Sequence, residues 1–174
     1  VSISQLDRTA LYRQLGVVMQ DGYLFNMSIR DNLLLCQCAA TDQELWEACR
    51  KANILDFIQS LPKGLDTVVG ERGVKLSGGQ KQRLCIAQAM LKQPSVFLFD
   101  EATSSLDGES ERMVHHSIDR IAQDAAVIVI SHKPSCVLRA NKIVVMKDGT
   151  IQDVGSHHEL LSRNQYYQQI MKEA

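Results

Sequence analysis

The chain has 174 residues and a mass of 19.5 kDa, is 45% hydrophobic and 22% charged, and carries 19 basic residues against 20 acidic ones. That length and apolar content suit one domain with a real core, and plentiful aliphatic residues without a like-charge block exclude a disordered chain. The near-neutral balance excludes a nucleic-acid or anionic-membrane binder that works through bulk charge. From the N-terminus, Leu6–Gln14 reads as a short helix leading into a strand, Gly16–Met19. Three helices follow, Ser28–Leu35, Asp42–Asn53 and Ile54–Ser60, the last ending before Pro62. A loop from Pro62 to Leu76 with three glycines precedes a long helix, Gly78–Lys92, which stops at Pro94.

The pattern then alternates: strand Val96–Phe99, helix Gly108–Ala122, strand Ala126–Ile130, helix Pro134–Ala140 and strand Lys142–Met146. Apolar runs of this length separated by helices predict buried parallel strands in an α/β sheet. Asp148-Gly149 is a hairpin turn into strand Thr150–Val154, and Ser156-x-x-Glu159 is a capping box that opens the first of two closing helices. The helical middle is thus inserted into, or appended to, an α/β core. Five cysteines, odd in number and scattered, read as free thiols of a reducing cytosol. The CxC at Cys36 and Cys38 has no second pair at zinc spacing. The longest apolar run, Ala125–Ile130, is far short of the roughly 20 residues that span a bilayer, and no signal-peptide pattern follows Val1.

Two segments carry chemistry. In Leu76-Ser77-Gly78-Gly79-Gln80, Ser77 and Gln80 have capping-box spacing, and two glycines beside the free N–H groups of a helix start allow close approach of an anion. Helix physics alone leaves a phosphate site and an ordinary glycine-rich helix entry both open. The strand Val96-Phe97-Leu98-Phe99 ends in Asp100-Glu101, where open α/β sheets bind ligands. One carboxylate there could hold Mg²⁺ and its neighbour could act as general base toward water; the bland reading is a solvated strand end. His132 follows the next parallel strand. His115-His116 and His157-His158 lack metal-site spacing, Trp46 reads as packing, and Tyr166 and Tyr167 as core or a dimer contact.

These residues together resemble the nucleotide-binding domain of ABC transporters, over nearly the whole chain. Leu76–Gln80 is identical to that family's LSGGQ signature, and Val96–Asp100 resembles its Walker B strand, with Glu101 in the place of the catalytic glutamate. Ser105-Leu106-Asp107 resembles the D-loop, His132 the switch histidine, and Gln20 the Q-loop glutamine that senses Mg²⁺ and faces the membrane domain. Leu24-Phe25-x-x-Ser28-Ile29-Arg30-Asp31-Asn32-Leu33 and Val69-Gly70-Glu71-Arg72-Gly73 are similar to exporter-type domains, in which the Glu71 region meets the coupling helices. The resemblance implies a P-loop NTPase-like ABC ATPase fold, mostly parallel sheet with an inserted helical subdomain. In it, residues 1–20 run to the Q-loop, 21–92 are helical and carry the signature, and 93–174 return to the core. It implies ATP and Mg²⁺ as ligands, Asp100 and Gln20 at the metal, and Glu101, His132 and Gln20 in catalysis. Leu76 to Gln80 and Asp107 would face the nucleotide. It implies a membrane-domain partner, a second nucleotide-binding domain arranged head to tail, and a place at the cytoplasmic face of the membrane.

One family element has no match: no Gly-Lys dipeptide occurs, so GxxxxGK[ST] is absent. Only nineteen residues precede Gln20. The expectation is a chain lacking the first strands and the P-loop, weak in ATP binding by itself and with apolar strand edges open to aggregation. A half-domain that lends its signature to a partner's site, and a soluble ABC ATPase without transport, are the alternatives.

Overall fold

Short side-chain caps start most helices. Asp7 accepts from the Ala10 amide at 2.7 Å and opens α1 (Arg8–Arg13), which leads into β1 (Leu15–Met19). The computed structural model describes residue 2 and residues 5–173, in two compact units, Val1–Ile130 and Ser131–Ala174.

In the first unit β1, β2 (Val96–Asp100) and β3 (Ala126–Ile130) form a parallel sheet in the order β1-β2-β3. Met19, Asp100 and Ile130 are partners in register, so all three strands end together. Between β1 and β2 run α2 (Ile29–Leu34), α3 (Asp42–Lys51), α4 (Leu55–Ser60) and α5 (Gly78–Leu91), with two 3₁₀ turns, Gly64–Asp66 and Glu71–Gly73. α6 (Gly108–Ile121) connects β2 to β3. One sheet face presents Val18, Phe97 and Phe99, which are buried in a core with Leu84, Ile86, Val114 and Ile118 of α5 and α6. Leu24, Ile29, Leu33, Leu45 and Ile58 extend that core under the helical segment, and Trp46 packs against it. α3 carries a Thr41–Glu44 capping box, a signal equally visible in the sequence.

The opposite face is open. Val17 (50% exposed), Met19 (57%), Ile128 (53%) and Ile130 (47%) share it by strand alternation. The expectation that Ala126–Ile130 is a buried strand is therefore corrected. β3 is one of the sheet's two edge strands among the described residues, and parallel strands become buried only when both faces are covered.

The second unit holds α7 (Pro134–Val137), four residues where a helix to Ala140 was expected, then β4 (Ile143–Lys147), β5 (Thr150–Gly155), α8 (His157–Arg163) and α9 (Gln165–Glu173). The expected fourth parallel strand, Lys142–Met146, instead pairs antiparallel with β5 across the Asp148-Gly149 turn, with a register shift at Val145/Met146. A two-residue hairpin brings its strands together at far lower loop-closure entropy than a crossover helix, and α7 is too short for one. Val145, Leu160 and Tyr167 form this unit's core, and the Tyr167 hydroxyl lies 2.8 Å from His157 Nδ1. Tyr166 stacks under Lys147, whose Nζ is 5.0 Å from the ring centroid. All five cysteines are free, and no helix among the described residues is long and apolar enough to cross a membrane.

Candidate functional site

The site is built at the carboxyl edge of the sheet. Gln20 follows Met19, the register partner of Asp100, so the Gln20 loop and the Asp100-Glu101 pair emerge side by side from β1 and β2. Gln20 is exposed; Asp100 and Glu101 are half-buried. The Glu101 amide donates to the Ile130 carbonyl at 3.0 Å, which carries the β2–β3 ladder one residue past the strand. There Glu101 takes φ 47°, a left-handed conformation that costs a non-glycine residue roughly 1–2 kcal/mol. Ser104 closes the following turn, its Oγ donating to the Glu101 carbonyl at 2.9 Å. Strain at a strand end beside paired carboxylates is a recurrent mark of a functional position.

α5 begins where the sequence places it. Its capping box is complete: the Ser77 amide donates to Gln80 Oε1 at 2.9 Å and the Gln80 amide to Ser77 Oγ at 3.3 Å. Ser77 and Gly78 are exposed, Leu76 and Gln80 half-buried and Gly79 buried. The two glycines do different work. A Cβ on Gly78 would meet only Leu106 Cδ2, at 3.6 Å, whereas one on Gly79 would come 2.5 Å from Ser110 Cβ. Gly78 leaves the helix start open to a ligand; Gly79 lets α5 close against α6.

α6 is capped in turn by Asp107, whose Oδ1 accepts from the Glu109 amide at 3.1 Å and the Ser110 amide at 2.9 Å. Hydrogen bonds from the Ser110 backbone and side chain hold this carboxyl below the usual aspartate range. Two helix N-termini, α5 at Ser77 and α6 at Asp107, therefore abut through Gly79 and Ser110, and their N–H groups and dipole ends favour an anion. Arg83, one turn beyond Gly79, is buried with Nε and Nη1 lacking an acceptor among the described residues. Burial lowers the guanidinium's proton affinity, and the charges of Asp107 and Glu109 pull it back up.

The ABC transporter family model matches residues 1–104. The chain belongs to that family. It is 45% identical over 161 residues to a putative multidrug export ATP-binding/permease protein of Staphylococcus aureus, covering 92% of this chain and 28% of that protein. A putative multidrug export ATP-binding/permease protein of Bacillus subtilis is also 45% identical, over 168 residues, covering 97% of this chain and 29% of that one. A solved structure, a bacterial Atm1-family ABC exporter with ATP bound, superposes with a TM-score of 0.90 at 39% identity, over 98% of this chain and 30% of that chain. The chain thus spans under a third of the length of these relatives.

Within this ABC domain the structure brings Gln20, Asp100 and Glu101 to one sheet edge, and Leu76–Gln80 against Leu106 and Ser110. His132 lies two residues beyond Ile130 in the chain, in the second unit.

Asn32 was missed as a site-shaping residue. Fully buried, it accepts from the Phe25 amide at 2.8 Å and donates to the carbonyls of Phe25 at 3.0 Å and Ser28 at 2.9 Å. Its signals in the sequence are its place in the run Leu24–Leu33 and an amide beside the apolar Ile29 and Leu33. The loop it holds turns Leu24 into the core and leaves Tyr23 and Phe25 outside, stacked edge to face with centroids 4.9 Å apart. An isolated bridge, Ser28 to Val68, joins this loop to the segment before Glu71, and Gly73 lies against Leu24. Asn32→Ala should lower Tm by about 4–10 °C, because it leaves the Phe25 amide without its acceptor, at roughly 1–3 kcal/mol, and removes one of the two hydrogen bonds on each of the Phe25 and Ser28 carbonyls. Thermal denaturation followed by circular dichroism checks this; a shift below 1 °C contradicts it.

Proposed function

We propose that this chain forms the signature-bearing part of an ATP-hydrolysing domain that powers export by an ABC transporter. The observation that carries the reading is the pair of abutting helix N-termini beside a sheet edge ending in Asp100-Glu101 and Gln20.

In this reading residues 1–20 end the core at the Gln20 loop, 21–92 form the helical subdomain, and 93–174 complete the core. The donors offered to a cation are oxygens only, the Asp100 carboxylate and the Gln20 amide, and this hard set fits Mg²⁺. When bound, Mg²⁺ would neutralise charge on the nucleotide's phosphates. Glu101 accepts a hydrogen bond from the attacking water and draws off its proton, with the backbone turn at Ser104 fixing its direction. His132 donates toward the transferred phosphate, and Gln20 links the metal to the membrane side. Ser77, Gly78 and Gly79, flanked by Leu76 and Gln80, present N–H groups to the terminal phosphate of ATP held by a second nucleotide-binding domain, head to tail. Asp107 sets the α6 start beside it.

The partner side is the exposed apolar surface of Tyr23, Phe25, Val68 and Val74 around Glu71, which suits the apolar faces of short membrane-domain helices. That docking places the chain at the cytoplasmic face of a membrane.

A titration in trans tests the reading. With no GxxxxGK[ST] element in its own sequence, the chain should bind Mg-ATP no more tightly than about 1 mM by calorimetry, since that element supplies several charge-assisted hydrogen bonds of roughly 1.5–3 kcal/mol each. Added to the nucleotide-binding domain of the S. aureus relative disabled in its own signature, it should restore ATP turnover, and Ser77→Arg should abolish the rescue. Micromolar binding alone, or no rescue, overturns the reading.

A further inference from the structure

We propose that Gln82 is a positioning residue that, with Cys85 and Gly22, joins the signature turn to the Gln20 loop as one mechanical unit. Gln82 is 4% exposed, and its Nε2 donates to the Met19 carbonyl at 3.1 Å, the carbonyl immediately before Gln20. Cys85 is three residues on and shares that face of α5. Gly22 sits directly on its side chain: a Cβ there would lie 3.2 Å from Cys85 Cβ and overlap Cys85 Sγ outright. The loop is therefore held on one helix face at two points, one polar and one by close packing, on either side of Gln20. Ser77 and Gly78 are at the start of the same helix, about one turn from Gln82.

An α-helix this short is stiff along its axis, so the two ends move together. A ligand that displaces Gln20 then displaces the exposed N–H groups of the signature turn, and a partner's nucleotide on that turn shifts Gln20 in return. The geometry holds whatever the nucleotide does; the consequence rests on the functional reading above.

Burial pushes the Cys85 thiol up to about 11 and the Cys49 thiol, in α3, up to about 12, so both are slow to alkylate and each reports local opening. The experiment is peptide-resolved alkylation of the whole 174-residue chain by iodoacetamide, without nucleotide. Gln82→Met keeps an unbranched apolar stem and removes the donor. It is expected to raise the Cys85 rate about tenfold while leaving Cys49 unchanged, the effect of one lost hydrogen bond. Gly22→Ala is expected to speed amide exchange over residues 20–24, and adding Cys85→Ala to restore protection by removing Sγ. An unchanged Cys85 rate in Gln82→Met, equal acceleration of Cys85 and Cys49, or failure of Cys85→Ala to rescue Gly22→Ala each overturns the proposal. Because no readout needs ATP, failure of the trans assay leaves these outcomes untouched, and failure here leaves that assay untouched.

Discussion

Glu101→Gln, placed in a polypeptide that joins these residues to a phosphate-gripping loop, is expected to lower kcat by roughly 10²–10⁴-fold with the nucleotide KM nearly unchanged. The amide keeps the size of the side chain, so its half-buried setting and the Ser104 turn persist, and only the ability to take a proton from water is lost. Steady-state phosphate release against nucleotide affinity separates the two effects. Unchanged turnover would mean that another group is the base. The backbone supplies a control. At φ 47° any non-glycine residue is strained, so Glu101→Gly should remove the base and yet raise Tm by about 1–3 °C, the relieved strain of roughly 1–2 kcal/mol outweighing glycine's extra chain entropy of about 0.5–1. A variant both inactive and more stable than the parent would show that the strain serves the site.

The second large effect concerns packing. Gly79→Ala should destabilise the chain by about 2–3 kcal/mol, some 4–10 °C in Tm, although alanine is the better helix former. The helix-propensity gain is about 1 kcal/mol, while the new methyl would lie 2.5 Å from Ser110 Cβ, an atom fixed to the α6 backbone that cannot swing away. Gly78→Ala should be almost neutral for stability, because its nearest neighbour is Leu106 Cδ2 at 3.6 Å, and should instead weaken rescue in the trans assay. Ser110→Gly should restore most of what Gly79→Ala loses, a coupling of about 1–3 kcal/mol measurable by a double-mutant cycle in urea. Additive losses would show that α5 and α6 do not meet there.

Both cases show where reading the sequence stops. Paired glycines in a helix entry suggested ligand approach for both, and only the neighbour 31 residues away, Ser110, separates the open position from the packed one. Asp100-Glu101 was visible as a carboxylate pair on a strand, but the left-handed turn at Glu101 was not, because glutamate has no preference for that conformation.

What the amino-acid order determined by itself is local. Ser77-x-x-Gln80 and Ser156-x-x-Glu159 specify helix starts through hydrogen bonds three residues apart, Asp148-Gly149 specifies a turn, and apolar runs specify strands, all of which the structure contains. The family motifs are equally local, and they carried the assignment. Tertiary structure alone decided the alignment of Met19, Asp100 and Ile130 in one register, the departure of β4 to pair with β5, and the open face of β3. It also decided that Asn32 holds the Phe25 loop and that Gln82 reaches Met19 across 63 positions. The physical reason is that such contacts depend on which surfaces are left to cover once the elements have formed. A strand run reads the same whether a neighbour covers it or not.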